Sequence, residues 1–238
     1  MIFYRRLQPV KALSFDLDDT LYDNRPIILA AEQAQLDFLF AQFPATEALG
    51  RSGWLACKLD VAQQTPALRH DVELWRKHSL AAYLHQAGYS PSECQRGVQD
   101  GFATFADARS NFMVSDEVRG ILATLAAAVP LVALTNGNVD LTRIGIADYF
   151  HHVYHASVDL PAKPANAMFL TAQHNLGLAG QQILHIGDCL TNDVFGAISA
   201  GWQSGYLVHG QQPDLNANRP RVLPHVQLSE LAQLQALV

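Results

Sequence analysis

Two aspartates follow a short apolar segment near the N-terminus. Residues 12–15, Ala-Leu-Ser-Phe, have the composition of a buried strand, and Asp16, Asp18 and Thr20 come directly after it. Burying a carboxylate is costly unless it is paired or bound to a metal, so these acids would gain nothing from a place in the core. One of them could attack as a nucleophile while the other transfers a proton, and both could help to hold a hard cation. The alternative is a solvated turn at the end of a strand.

Two later apolar runs also end in polar residues. Residues 130–135 and 182–187 are each typical of a buried strand. The polar residues that end or follow these strands are Thr135, Asn136 and Gly137 for the first, and Gly187, Asp188 and Asp193 for the second. Because ligands of open parallel sheets bind beyond the carboxyl ends of the strands, we expect the three strand ends to meet in one cleft. The chain has neither G-x-x-x-x-G-K-[ST] nor G-x-G-x-x-G, which argues against nucleotide binding of those two kinds.

The elements that would position these residues can be read from the apolar pattern. From residue 114 onward, predicted helices alternate with short strands, and Ser115-Asp116 is typical of a helix start. Further helices are expected at 139–146, 164–176 and 191–200, and further strands at 153–155 and 204–208. Such alternation predicts an α/β fold, with a doubly wound parallel sheet covered on both faces by helices.

The region after the first strand has helical periodicity and almost no β-rich runs. Pro26 suits a helix start, and Pro44, Pro66 and Gly88 interrupt the pattern, so we expect about four or five helices there. The sequence therefore predicts an all-helical domain at 23–110, inserted into an α/β domain made of residues 1–22 and 111–238.

Composition and charge narrow the function. The 238 residues carry 16 Lys and Arg against 22 Asp and Glu, a net charge of −6 without charge runs, so we expect no nucleic-acid partner. An acidic protein that handles an anion would need a local positive site, such as a metal with a lysine. The three cysteines are far apart in the sequence and indicate no disulfide framework. Without an apolar run suited to a signal peptide or a membrane span, we expect a cytoplasmic protein with no membrane partner.

Four motifs in order resemble the haloacid dehalogenase superfamily. They are Asp16-x-Asp18-x-Thr20, the strand end Thr135-Asn136-Gly137, Lys163 before Pro164, and Gly187-Asp188 with Asp193. The resemblance implies a Rossmann-like doubly wound parallel sheet with an inserted all-helical cap, as in the subgroup that contains phosphatases, dehalogenases and β-phosphoglucomutases.

The resemblance also implies hydrolysis of a small-molecule phosphomonoester through an aspartyl-phosphate. Asp16 would attack phosphorus, and Asp18 would protonate the leaving oxygen and later activate water. Lys163 would neutralise charge on the nucleophile and on the phosphoryl group, which Thr135 and Asn136 would help to bind.

Mg²⁺ is the cofactor that the resemblance implies. Asp16, Asp188 and the backbone carbonyl of Asp18 would hold it, since Mg²⁺ prefers oxygen ligands. Asp193 and Thr20 would lie behind these ligands. Asp193 could orient the water shell of the metal, or it could be an acid that is favoured at the start of a helix.

Other residues that could bind a metal receive no such role. Cys189 follows Asp188 but does not suit Mg²⁺, so we expect no catalytic function for it. Four histidines lack a recurrent ligand spacing and are expected in the core or at a sheet edge: His151, His152, His155 and His185.

One stretch of the helical region could select the substrate. Residues 69–76 include His70, Trp75 and Arg76, of which Trp75 could stack on a flat ring and Arg76 could meet a phosphate. The alternative is an ordinary amphipathic helix that places Leu74 and Trp75 in the core of the cap.

A closer resemblance runs along nearly the whole chain. Residues 15–26, the stretch from His70 to Arg76, residues 134–138 and Leu223-Pro-His225 are similar to the bacterial YigB-type phosphatases. That resemblance implies as substrates flavin mononucleotide (FMN) and 5-amino-6-(5-phospho-D-ribitylamino)uracil, an intermediate of riboflavin synthesis.

Several other functions stay open at this point. A β-phosphoglucomutase-like phosphotransferase would carry the same motifs, and the substrate could instead be a sugar phosphate or a nucleotide. Asp18 argues against dehalogenation, because displacement at carbon needs no acid there. A binding module that keeps only the fold would be expected to have lost Asp16 or Lys163, and both are present. The sequence leaves the oligomeric state open.

Overall fold

The computed structural model describes residues 1–208 and 221–238. Within these ranges seven strands form one sheet, in the order β1-β7-β6-β5-β2-β3-β4. The strands are β1 (Ile2–Phe3), β2 (Ala12–Phe15), β3 (Leu131–Thr135), β4 (His152–His155), β5 (Ile183–Gly187), β6 (Gln203–Leu207) and β7 (Val226–Leu228).

The six strands from β2 to β7 run parallel to one another, as the sequence predicts for β2 to β6. Leu13 pairs with Leu131 of β3 on one side and with Leu184 of β5 on the other, so β2 lies between the strands that end in the other two motifs. Every residue of β2, β3, β5 and β6 is buried, and β2, β3 and β5 are accordingly mostly apolar. Strand β1 is antiparallel to β7, and neither was predicted.

Helices and turns cover the sheet. Helix α5 (Asp116–Ala128) begins as expected, with the hydroxyl of Ser115 accepting a hydrogen bond from the N–H of Val118 at 3.3 Å. Helix α6 (Ala167–Leu176) buries Met168 and Phe169 against the sheet, where each large apolar side chain contributes roughly 1.5–3 kcal/mol. Helix α7 (Gly196–Ser199) follows a π-helical turn at Leu190–Phe195, so the helix expected at 191–200 is divided in two.

The prediction of a helix at 139–146 is wrong. The backbone forms a series of turns there, with Gly145 at a φ of +77°, a conformation that continues neither helix nor strand. The apolar spacing that resembles a helix is explained by burial, because Leu141, Ile144 and Ile146 all lie in the core. Helix α6 also begins three residues later than position 164.

The chain divides into two compact units. One consists of Met1–Asp23, Met113–Gly137 and Leu141–Val238, and the other of Asn24–Phe112 with Asn138–Asp140. The second unit contains the helices α1 (Asn24–Gln42), α2 (Gly50–Gln64), α3 (Val72–Gln86) and α4 (Pro91–Arg109). Asp71 caps α3 by accepting a hydrogen bond from the N–H of Leu74 at 2.8 Å.

An apolar core holds the helical unit together. Trp54, Tyr83 and Leu84 are almost fully buried and pack with side chains of α1 and α4. Gly97 allows α4 to approach closely, because a Cβ atom there would lie 2.5 Å from Cδ1 of Leu84 and 2.9 Å from Cζ of Phe43. Among the described residues, no helix is long and apolar enough to cross a membrane.

Candidate active site

The carboxyl ends of β2, β3 and β5 meet at one cavity in the α/β unit. The cavity has a volume of about 210 Å³ and is lined by residues of all four sequence motifs. The adjacency of the three strands explains the convergence, because parallel neighbours end at the same edge of the sheet. Residues that lie 177 positions apart in the sequence, Asp16 and Asp193, thereby come together.

Lys163 lies between two carboxylates. Its Nζ atom donates to Oδ1 of Asp16 and to Oδ1 of Asp193, each at 2.7 Å, and its side chain is only 1% exposed. Burial alone would lower the pKa of Lys163, but the charges of Asp16 and Asp193 outweigh it and raise the pKa above its ordinary value. The amine is therefore a fixed positive charge in the interior.

The two carboxylates differ in how well they are compensated. Burial raises the pKa of Asp16 to about 7; Lys163 opposes the rise, and the charges of Asp193 and Asp18 add to it. Burial also acts to raise the pKa of Asp193, but Lys163 and a hydrogen bond from His185 hold it well below its usual range. Asp193 is thus stabilised as a carboxylate. The cost of burying the charge of Asp16 is only partly compensated by Lys163.

Asp188 is also a partly buried acid whose negative charge is not fully compensated by nearby cations. Burial raises its pKa to about 6, helped by the charges of Asp193 and Asp19. The hydroxyl of Thr20 lies 3.2 Å from Oδ2 of Asp16 and 3.5 Å from Oδ1 of Asp188, so it spans the two acids.

The donor set fits a hard divalent cation. Carboxylate oxygens of Asp16, Asp188 and Asp193 lie within 4.8 Å of one another. Asp193 already accepts from Lys163 and His185 on Oδ1 and from the N–H of Cys189 on Oδ2 at 3.0 Å, which leaves Asp16 and Asp188 as the acids that need a cation.

Asn136 lines the cavity, and both polar atoms of its side chain also bond to the backbone of Lys163. Its Oδ1 atom accepts from the backbone N–H of Lys163 at 2.8 Å, and its Nδ2 atom donates to the carbonyl oxygen of Lys163 at 3.0 Å. The side-chain amide therefore holds the Lys163 backbone in place. The hydroxyl of Thr135 lines the cavity and accepts from the N–H of Gly137 at 2.9 Å.

Asp18 is oriented by its neighbours. The hydroxyl of Tyr22 donates to its Oδ1 atom at 2.5 Å. Gly137 leaves room for the other oxygen, since a Cβ atom there would lie 2.6 Å from Oδ2 of Asp18. Tyr22 is not among the site residues predicted from the sequence, although its position four residues after Asp18 is a signal that could have identified it.

The histidines are divided by the structure. His151, His152 and His155 are exposed at or beside the edge strand β4, as expected, and His185 is fully buried on β5. His185 contacts Asp193, a role that its apolar neighbours in the sequence do not indicate. The sequence signal that could have identified this contact is a polar residue in the middle of a predicted buried strand.

The residues proposed for substrate selection lie in the helical unit. Arg76 is 8% exposed, its guanidinium bonds to Glu32 at 3.3 Å and to Gln35 at 2.9 Å, and it lies over the ring of Phe105. Glu32 and Gln35 therefore already bond to the guanidinium within that unit, and a contact of Arg76 with a phosphate stays a prediction. Trp75 is half-buried, with its indole N–H donating to the carbonyl oxygen of Lys58 at 2.9 Å, and His70 is also half-buried. Leu74 is 36% exposed, so the alternative that placed it in the cap core is wrong.

Comparison with known proteins gives consistent matches along the chain. The family of haloacid dehalogenase-like hydrolases matches residues 10–201. The chain is 37% identical over 238 residues, all of both sequences, to the 5-amino-6-(5-phospho-D-ribitylamino)uracil phosphatase YigB of Escherichia coli strain K12. It is 28% identical over 230 residues to a phosphoglycolate phosphatase of Pectobacterium atrosepticum, covering 90% of each.

Solved structures give the same picture of the fold. A 2-haloacid dehalogenase from Pseudomonas syringae pv. Tomato DC3000 superposes with a TM-score of 0.87 and 30% identity, over 96% of this chain and 97% of that one. A haloacid dehalogenase-type phosphatase from Thermococcus onnurineus superposes with a TM-score of 0.65 at 21% identity, which supports the fold alone.

Proposed function

The chain belongs to the haloacid dehalogenase-like hydrolase family and is a phosphatase, and from this premise we propose that it hydrolyses phosphomonoesters of riboflavin metabolism through a covalent intermediate on Asp16. The observation that carries the proposal is the pair of 2.7 Å contacts that Lys163 makes with Asp16 and Asp193 inside the cavity. A buried cation fixed beside a carboxylate is suited to a reaction that brings a negatively charged phosphoryl group to that carboxylate.

Two steps complete the proposed reaction. In the first, a carboxylate oxygen of Asp16 bonds to phosphorus as the bond to the leaving oxygen breaks, and Asp18 gives that oxygen its proton. In the second, Asp18 takes a proton from water, the water oxygen bonds to phosphorus, and the bond to Asp16 breaks to release inorganic phosphate. The contact of Tyr22 with Asp18 supports this role, because a proton donor must be held in one orientation to serve both steps.

Asp16 and Asp188, with the backbone carbonyl of Asp18, are the proposed ligands of Mg²⁺. The raised pKa values of Asp16 and Asp188, about 7 and about 6, support a cation beside them because it would stabilise both carboxylates. When bound, Mg²⁺ supplies positive charge to the carboxylates and to the phosphoryl oxygens. Thr20 and Asp193 would keep the ligands and Lys163 oriented.

The proposed substrates are 5-amino-6-(5-phospho-D-ribitylamino)uracil and FMN. The 37% identity to the E. coli enzyme, over the full length of both chains, supports the ribitylaminouracil phosphate as substrate. FMN resembles this compound, because both carry a ribityl phosphate attached to a flat ring. The cavity of about 210 Å³ is below the roughly 300–1,000 Å³ typical of pockets for drug-sized ligands, so the ring must extend beyond the residues that line it.

The helical region is proposed as the cap that selects the substrate. In this proposal residues 23–110 are inserted into an α/β domain of residues 1–22 and 111–238, and His70 and Trp75 remain candidates for ring recognition. Both side chains are partly exposed, which a contact with substrate requires.

The likeness to a 2-haloacid dehalogenase makes dehalogenation the second candidate. Displacement of halide from carbon needs no proton donor, whereas expulsion of an alkoxide from phosphorus does. The presence of Asp18, held by Tyr22, therefore favours phosphatase chemistry.

A release assay on the purified protein tests these proposals. With Mg²⁺, phosphate release should be most efficient for the ribitylaminouracil phosphate and FMN, weaker for phosphoglycolate and sugar phosphates, and lost with excess chelator. Halide release from a 2-haloacid without phosphate release, or turnover only with a sugar bisphosphate activator, would overturn the proposal in favour of a dehalogenase or a mutase.

A further inference from the structure

Two polar side chains bond to each other inside the sheet. Ser14 of β2 and His185 of β5 are opposite each other in the parallel register, and neither side chain is exposed. The Oγ atom of Ser14 lies 2.9 Å from Nδ1 of His185, and Nε2 of His185 lies 3.2 Å from Oδ1 of Asp193. Both strands are otherwise apolar, and a polar pair in such a position is costly unless its hydrogen bonds are satisfied.

The partners of His185 determine where its proton lies. Asp193 is an ionised carboxylate and can only accept, so Nε2 must carry the hydrogen and donate. Nδ1 is then the acceptor, and the hydroxyl of Ser14 donates to it. Burial lowers the pKa of His185 to about 4, which keeps the ring neutral beside Lys163. Phe169 packs edge-on against the ring, at 5.1 Å between centroids, and excludes water from that side.

Asp193 is enclosed by donors. Lys163 and His185 donate to Oδ1, and the N–H of Cys189 donates to Oδ2. Gly187 adds a steric limit, because a Cβ atom there would lie 2.2 Å from Cγ of Asp193. His185 is the donor that approaches from inside the sheet, where the backbone is least able to move.

We propose that His185, held by Ser14 in its neutral Nε2–H form, is a positioning residue that fixes Asp193 and, through it, places Lys163 against Asp16. The inference rests on the proposed function, since it assigns His185 a role in the chemistry of that same lysine. Without the His185 donor, the Asp193 carboxylate turns to Lys163 for compensation and draws the amine away from Asp16. The lysine then supports the transition state less well, while the cavity that binds the substrate is unchanged.

Two amide substitutions separate positioning from packing. In His185→Gln the side-chain nitrogen reaches the place of Nε2 and can donate to Asp193, whereas in His185→Asn the shorter amide can bond only to Ser14. We expect His185→Asn to lower kcat about ten- to a hundredfold, as for one lost hydrogen bond to a charged group, with KM within about threefold of the wild-type value. His185→Gln should restore most of kcat.

Leu184→Ala is the control for lost stability, because Leu184 is a fully buried neighbour on the same strand, and successive side chains of a strand point to opposite faces of the sheet. It should lower the melting temperature without lowering kcat. Equal kcat in the two amide variants, or a fall in kcat in Leu184→Ala as large as in His185→Asn, would overturn the proposal.

Nitrogen NMR of protein labelled at histidine supplies a readout that does not depend on activity. The His185 signals, identified by their loss in His185→Gln, should show a protonated Nε2 and an unprotonated Nδ1 from about pH 6 to pH 8. A doubly protonated ring, or the opposite neutral form, would refute the inference. A wild-type protein that releases no phosphate but shows the Nε2–H form would instead refute the proposed function.

Discussion

Asn136→Ala tests whether Lys163 is held by its backbone. The substitution removes two hydrogen bonds, from the N–H of Lys163 at 2.8 Å and to its carbonyl oxygen at 3.0 Å. At about 0.5–1.5 kcal/mol for each neutral bond, the unfolding free energy should fall by roughly 1–3 kcal/mol. For a chain of this size, each kcal/mol corresponds to a fall of about 2–4 °C in the melting temperature.

The same substitution should lower kcat more than it raises KM. A lysine whose backbone is no longer fixed still binds the phosphate, but it stabilises the transition state less, so we expect a loss of about tenfold to a hundredfold in kcat. Lys163→Met removes the charge altogether and should cost on the order of 10³-fold or more. If Asn136 acts only through Lys163, the double variant should be no slower than Lys163→Met alone.

Steady-state kinetics and thermal denaturation measure the effects on kcat, KM and stability. The proteins compared are the wild type, Asn136→Ala, Lys163→Met and the double variant. Asn175→Ala is the matched control, since it removes one asparagine hydrogen bond, to the hydroxyl of Tyr154, outside the cavity. It should change stability slightly and kcat not at all. The reasoning is refuted if Asn136→Ala raises KM alone, which would indicate a direct phosphate contact, or if the losses in kcat from the two substitutions are additive.

Three further outcomes follow from the site. Tyr22→Phe removes the 2.5 Å bond to Asp18 and should lower kcat/KM for FMN by roughly tenfold or more. The loss should be smaller for 4-nitrophenyl phosphate, because its leaving group needs no proton. Equal losses for the two substrates would contradict the role of Asp18 as acid. Gly187→Ala puts a methyl group into Asp193 and should abolish most activity, so retention of the wild-type kcat would show that Asp193 can move freely. In chelator, the folded protein holds protons on Asp16 and Asp188 that the unfolded chain loses above about pH 4. These two groups outweigh the opposite contribution of the buried, neutral His185, so the melting temperature should fall as the pH rises from 4 through 7. Mg²⁺ should cancel the fall, and a melting temperature in chelator that does not fall over this range would contradict the raised pKa values.

The sheet and the meeting of the motifs could be predicted because they depend on local patterns. Apolar runs locate β2, β3 and β5, and parallel strands place their carboxyl ends at one edge. Strands β1 and β7 have two and three residues, too few for a period to be visible, and their pairing brings together parts of the chain more than 200 residues apart.

The parts that could not be predicted depend on partners distant in the sequence. Arg76 resembles a free cation until Glu32, 44 residues away, compensates its charge. The hydrogen bonds of Asn136 join it to the backbone of a residue 27 positions away, Lys163, which its place at a strand end does not indicate. His185 resembles a core histidine, and only the fold reveals that it contacts an acid of the site. Residue type and spacing identify chemistry at strand ends, but not which polar atoms are already bonded.

The most direct test of the central claim is to identify the residue that carries the phosphoryl group. Asp18→Asn should be mixed with 4-nitrophenyl phosphate and Mg²⁺, quenched in acid and digested for mass spectrometry; the leaving group departs without an acid, but the second step lacks its base. One phosphoryl group should accumulate on the peptide that contains Asp16, and none should appear when Asp16→Asn is added to the variant. A phosphoryl group on another residue, or full phosphate release by Asp16→Asn alone, would show that Asp16 is not the nucleophile.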